Sequence, residues 1–164
     1  MGHRRRLHAH RAGAGGDLTQ QNIELLLSAQ RALRSRFDDF RHALQHDDRT
    51  AIEVSLVDFD QHLRRWTEAE EQALLPALVR ANIPGRNAPR ELRVEYVQIR
   101  ELTRYLVRQI TEGIRPNDLL GFVDNLDRRL RAHELEMEKV YYPAAESKLT
   151  DGEWRTLSEA RPEP

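Results

Sequence analysis

The chain has 164 residues, enough for one domain with a substantial buried core. Hydrophobic residues make up 39% and charged residues 32%, a mixture typical of amphipathic helices. The formal net charge of −1 argues against a nucleic-acid partner, and the lack of cysteine excludes disulfides and thiolate metal ligands. No apolar run reaches the ~20 residues that a membrane-spanning helix needs, so we predict a cytoplasmic protein without a membrane partner.

Residues 1–16 are basic and rich in glycine and alanine, without hydrophobic periodicity, and we predict that they form a disordered arm. The arm contains His3, His8 and His10, which could bind a metal weakly. Its composition favours a solvated leader, and it lacks the apolar centre of a secretory signal.

Four long amphipathic segments follow, each with apolar residues three or four positions apart. The first starts after Asp17, a suitable helix N-cap, and ends at the polar turn 46–49. The second ends before Pro84, and the third ends near Gly113 and Pro116. The predicted inward positions are Leu26, Gln30, Leu33, Phe37, Phe40, Leu44, Ile52, Leu56, Phe59, Leu63, Thr67, Glu71 (or Glu70), Leu74, Leu78, Leu92, Tyr96, Ile99, Thr103, Leu106, Ile110, Leu119, Val123, Leu126, Leu130, His133, Met137 and Tyr141.

Long helices joined by short links predict an all-α fold, an antiparallel up-down-up-down four-helix bundle over residues 17–147. No stretch alternates with a period of two, as a strand would. Residues 148–164 form a predicted tail with a short helix at about 154–160, which would cover one end of the bundle.

The second and fourth segments share a motif: an acidic residue, two variable residues, two large apolar residues and a proline. Residues 71–76 (Glu-Gln-Ala-Leu-Leu-Pro) and 138–143 (Glu-Lys-Val-Tyr-Tyr-Pro) align on their prolines. Upstream, Asp60 and Asp127 stand at the same distance from them. The shared spacing indicates an internal repeat, although leucine and glutamate are common enough in helices for the match to arise by convergence.

These motifs resemble those of the hemerythrin-like (HHE cation-binding) family, and the resemblance covers about residues 18–145. It implies a four-helix bundle with a non-haem di-iron centre in its core. In residues 132–143, His133 and Glu138 stand at the family's ligand spacing. In residues 67–76, Glu71 stands in place of the bridging carboxylate.

Four of the five histidines that the family would use are replaced. Gln30 stands on the first helix, Thr67 on the second, and Leu92 with Tyr96 on the third. The resemblance therefore implies a reduced set of metal ligands: Glu71, His133 and Glu138. We expect Tyr96, Gln30 and Thr67 to line the same site, with Tyr96 as a fourth ligand or an outer hydrogen-bond donor.

One histidine and two carboxylates are too few for two irons, but they suit a single iron, manganese or zinc ion with open positions. The alternative is a metal-free polar cluster, in which His133, Tyr96, Gln30 or water would satisfy the buried carboxylates. A third interpretation is a haem-binding bundle with His133 or Tyr96 as axial ligand, although no haem-attachment motif is present.

The resemblance thus implies a metal-binding protein that handles oxygen, nitric oxide or peroxide in redox stress. The alternative function is a metal-free bundle that works as a binding or interaction module. The sequence shows no nucleophile with helix-spaced histidine and acid partners and no phosphate-binding glycine loop. Whether the protein is an enzyme, and its oligomeric state, are left open.

Overall fold

The computed structural model describes residues 14–163. Its helices are α1 (Ala14–Gln45), α2 (Arg49–Ala81), α3 (Ala88–Thr111), α4 (Leu120–Glu136), α5 (Tyr142–Glu146) and α6 (Asp151–Ala160). No strand forms over this range, so the predicted all-α bundle is confirmed. The predicted disordered arm, with His3, His8 and His10, lies mostly outside the described residues. The helical backbone begins at Ala14, three residues before the predicted cap Asp17.

Local capping signals explain why the helices begin and end where they do. The Asp48 side chain accepts a hydrogen bond from the Ala51 N–H at 3.1 Å, which satisfies an unpaired donor in the first turn of α2. Asn87 caps α3 in the same way, and Asn82 ends α2 in the left-handed conformation with φ of 49°. Polar residues flanking Pro84 therefore set the sharp turn between α2 and α3.

The core lies between the four long helices, and α2 is its central element, packed against α1, α3 and α6. Nearly all predicted inward positions are buried. The largest side chains with almost no exposed surface are Trp66, Tyr96, Tyr141, Tyr142, Phe37, Phe40 and Phe59. Among the described helices, none is both long enough and apolar enough to cross a lipid bilayer.

A π-helical turn, Met137–Tyr141, interrupts the fourth long helix between α4 and α5. Before it, Val123, Leu126 and Leu130 follow the ordinary three-and-four spacing of buried positions. The extra residue in the turn shifts this spacing, so that the consecutive residues Tyr141 and Tyr142 are both buried. Tyr142 thereby reaches the centre of the bundle.

The short helix α6 begins with a complete capping box, and its contribution to stability can be tested by mutation. The Thr150 hydroxyl accepts from the Glu153 N–H at 3.3 Å, while the Glu153 carboxylate accepts from the Thr150 N–H at 2.8 Å. We expect Thr150→Ala to lower the free energy of unfolding by about 1 kcal/mol, measured by urea denaturation. Thr156→Ala, inside the same helix, should be neutral or slightly stabilising because alanine is the better helix former. An equal loss in both variants would contradict a capping effect.

Candidate metal centre

The centre of the bundle contains one fully buried carboxylate, Glu70 on α2. Tyr142 donates a hydrogen bond from its hydroxyl to Glu70 Oε1 at 2.8 Å. The second oxygen, Oε2, has no hydrogen-bond partner among the described residues. Burial raises the pKa of this carboxyl, and the positive charge of His133 and the Tyr142 hydroxyl only partly oppose that rise. Glu70 is therefore a carboxylate that a nearby cation would stabilise.

His133 on α4 faces this carboxylate and is oriented by α3. Its Nδ1 lies 2.9 Å from Glu95 Oε2, and its side chain is only 12% exposed. Burial alone would lower the pKa of the imidazole, but the Glu95 hydrogen bond and the Glu70 charge outweigh it, so the pKa is raised. Because Glu95 occupies Nδ1, Nε2 is the nitrogen left to bind another group.

Tyr96 on α3 completes the cluster. Its ring packs edge-on against the His133 imidazole, with ring centroids 5.6 Å apart. Within residues 14–163 the buried hydroxyl makes no hydrogen bond of standard length and angle, although it interacts with the Glu70 carboxylate. It is nevertheless close enough to Glu70 that the carboxylate charge, together with burial, raises the pKa of the phenol well above its usual value. Glu70, Tyr96 and His133, from three different helices, define what we call the central cluster.

Two of the predicted ligands lie away from this cluster. The Glu71 side chain is 31% exposed and accepts a hydrogen bond from Arg100 at 2.7 Å. Glu138 is exposed on the first turn of the π-helical segment. Only His133 of the three predicted ligands is therefore in the core, and Glu70 takes the place on α2 that Glu71 was expected to fill. Glu138 directly follows the buried Met137, and neighbouring residues on a helix point about 100° apart, so its side chain faces outward.

Gln30 and Thr67 lie close to His133 in the structure. These side chains line a small cavity between α1, α2 and α4, on the α1 side of the imidazole. The Thr67 hydroxyl donates to the Leu63 carbonyl at 2.9 Å, whereas Gln30 Nε2 has no partner in the described part of the chain. The cavity, about 20 Å³, has room for about one water molecule, which could bind Gln30.

The same cavity bears on the haem interpretation. Pockets for organic cofactors are typically about 300 Å³ or larger, and this one measures about 20 Å³. Leu92, which replaces a family histidine, is fully buried and its side chain fills core space. A porphyrin beside His133 would therefore require the surrounding helices to separate and repack.

The fold and the central cluster define a class: an all-α bundle with a carboxylate, an imidazole and a phenol gathered between its helices. The family model of the hemerythrin HHE cation-binding domain matches residues 21–145, most of the chain. The protein belongs to the hemerythrin HHE cation-binding family, and cation binding is the general function that this membership implies. No curated protein and no solved structure gives a significant match.

The donor atoms decide which metal centre this chain can accommodate. Within the described residues, no three histidine, aspartate or glutamate side chains lie close enough together to hold a metal ion. The family's di-iron centre therefore does not fit this core. Tyrosine widens the donor set, because Glu70 Oε2 and the Tyr96 hydroxyl lie buried beside His133 without a hydrogen bond of standard length and angle among the described residues. Glu70, Tyr96 and His133 supply three donor atoms, which are too few for two irons.

Three residues of the site were not among the predicted site residues. Glu70 was as good a candidate as Glu71, because the three-and-four spacing from Thr67 to Leu74 can pass through either position. The spacing of apolar residues in the sequence does not mark Glu95 or Tyr142 as part of the site. Glu95 meets His133 only because α3 and α4 pair in one register, and Tyr142 turns inward only because of the π turn.

Proposed function

We propose that this protein binds a single metal ion through Glu70, Tyr96 and His133. The observation that carries the proposal is the pair of buried oxygens of Glu70 and Tyr96, which lie beside the imidazole without a hydrogen bond of standard length and angle among the described residues. Buried polar atoms normally have hydrogen-bond partners, and a buried polar atom without one often marks an ion or water site. Family membership supports the general cation-binding function.

The Glu95–His133 hydrogen bond supports the role of His133. A histidine that ligates a metal commonly donates its other ring N–H to a carboxylate, which fixes the ring and strengthens it as a ligand. Glu95 Oε2 lies 2.9 Å from His133 Nδ1 and would have this effect. Glu95 would therefore hold the His133 ring in position for a metal ion.

The donor chemistry favours iron. A carboxylate, a phenolate and an imidazole supply two negative charges and hard oxygen atoms, a combination suited to ferric iron, although manganese or zinc would also accept it. Three protein ligands would leave open positions for an exogenous small molecule. We propose that this ligand is dioxygen, nitric oxide or peroxide and that the protein acts in redox stress, most simply in the cytoplasm.

Metal content tests the ligand set directly. Protein purified without an affinity tag or a chelator should contain about one iron, manganese or zinc ion per chain by elemental analysis. Glu70→Gln, Tyr96→Phe and His133→Gln should each lower this content by roughly tenfold or more, since each removes one ligand. In the ferric form, Tyr96→Phe should also abolish a visible phenolate-to-iron charge-transfer band.

Two matched variants separate this ligand set from the one predicted by motif spacing. Glu71→Gln and Glu138→Gln alter neighbouring carboxylates outside the central cluster, so both should keep the metal. Metal loss in these two, with retention in Glu70→Gln, would support Glu71 and Glu138 as the ligands. About two irons per chain would reject a single-ion site.

A metal-free binding module is the second candidate, and specific contacts favour it. Tyr142 already donates to Glu70, and Glu95 already pairs with His133, so the cluster can balance its charges without an ion. A colourless protein whose melting temperature does not change with added iron, manganese or zinc would establish this candidate in place of the first.

A further inference from the structure

The cavity beside His133 has a polar, half-exposed rim and an apolar, buried floor. Arg34 and Glu134 stand at the rim, with side chains 18% and 28% exposed. The floor is formed by Phe59, Leu63 and Trp66, each no more than 3% exposed. A path from solvent to Trp66 therefore leads past Arg34 and Glu134.

The rim lies in the seam between α1 and α4, which we define by Arg34 and Arg41 on α1 and by Asp127 and Glu134 on α4. Over the described residues, the backbones of α1 and α4 approach each other less closely than those of α1 and α2 or of α2 and α3. The seam is bridged by charged side chains: Arg41 contacts Asp127 at 3.3 Å, in addition to the contacts of Arg34. A seam closed by side chains can open when side chains rotate, with the helices in place.

Arg34 is the side chain that closes the rim. It donates to both oxygens of Glu134, at 3.0 and 2.9 Å, and to Asp127 at 2.6 Å. Paired charges at the rim, followed by an apolar floor, disfavour the passage of ions because an ion would lose its hydration inside. Small uncharged molecules avoid this cost.

We propose that small uncharged molecules enter the cavity beside His133 through the α1–α4 seam, and that Arg34 controls their entry. The inference extends the proposed function by giving an approach to the imidazole from the α1 side. It requires no metal, so it can be tested on chelator-treated protein and can hold or fail independently of the metal site.

Trp66 is a built-in reporter, because it lies at the floor of the cavity. Trp154→Phe makes it the single tryptophan, and dioxygen, an uncharged quencher, is the probe. We expect Arg34→Ala to raise the bimolecular quenching constant of Trp66 by about threefold or more, since the rim is then open for a larger fraction of time. High salt should raise quenching in the parent protein and have less effect in the Arg34→Ala variant.

Arg31→Ala is the matched control, because Arg31 lies on the same helix and pairs with Glu24 at the surface, away from the cavity. Its quenching constant should equal that of the parent. If Arg34→Ala is not fully folded, Glu134→Gln opens the same rim pair and should show the same increase. Unchanged quenching in the folded Arg34 or Glu134 variant, or an equal rise in Arg31→Ala, would overturn the proposal.

Discussion

The metal-free protein should be more stable at about pH 5.5 than at about pH 8, whereas a bundle stabilised by carboxylate–arginine ion pairs would show little change over this range. Burial raises the pKa of Glu70, and Glu95 and Glu70 together raise the pKa of His133 against the effect of its burial. For both groups the folded protein binds protons more tightly than the unfolded chain. Their contribution is therefore complete below the unfolded pKa, about 4.3 for glutamate and 6.5 for histidine, and is lost as the pH rises through the folded value.

Other carboxyls set the acid limit of this window. Arg34 and Arg131 hold the pKa of Asp127 below its usual value despite some burial. The Thr150 N–H, together with Arg80, lowers the pKa of Glu153. The Tyr141 hydroxyl and the Asn87 N–H lower the pKa of Glu91. Their contribution is lost as the pH falls through these lowered values. Stability should therefore be greatest near pH 4.5, above which Glu70 and then, from about pH 6.5, His133 lower it, by at most about 1.4 kcal/mol per pH unit for each titrating group.

Denaturant unfolding of chelator-treated protein across this range measures the effect. His133→Gln and Glu70→Gln should each flatten the decline, while Glu71→Gln should leave it unchanged. Added metal should reverse the trend, because metal ions compete with protons for the same ligands and bind more tightly as the pH rises. A stability that increases from pH 5.5 to 8 without metal would contradict the charge assignment of the cluster.

Arg34→Ala should lower the free energy of unfolding by about 2–3 kcal/mol, because it removes both hydrogen bonds to the partly buried Glu134 and the shortest arginine contact of Asp127, which keeps Arg41 and Arg131. Asp127 is 14% exposed and Glu134 28% exposed, so water restores only part of the lost hydrogen bonding. Arg34 also lies over the Phe37 ring at 5.5 Å, and its truncation removes that contact.

Urea denaturation at low and high salt measures this loss, with Arg31→Ala as the exposed control. Arg31 is 63% exposed and its ion pair is at the surface, so its removal should change stability by less than about 0.5 kcal/mol. Equal losses in the two variants would mean that burial of the Arg34 contacts contributes nothing to the bundle.

Hydrophobic spacing was sufficient to predict the helices and most of the core, because a helix must bury a stripe with its own period. Positions such as Leu92, Ile99 and Leu106 follow from that period alone, and all are buried. The choice between Glu70 and Glu71 was harder, since adjacent positions on a helix differ by only about 100° and either fits a broad inner face. Glu95 was out of reach, because its contact with His133 depends on how α3 and α4 are aligned.

The π turn at Met137–Tyr141 changes the helical phase between α4 and α5, so the inward-facing positions before and after it do not follow one continuous spacing. Each added residue rotates the following side chains by about 100° relative to those before it. Residue counting along a motif is therefore valid on either side of the turn but not across it. Deleting the exposed Lys139 would make Tyr142 the fourth residue after Met137, so an unbroken α-helix would still direct it toward Glu70. Without the π turn, the full-length helix would turn Tyr142 by about 100° away from that position. The one extra residue in the π turn thus determines that Tyr142 is the side chain that contacts Glu70.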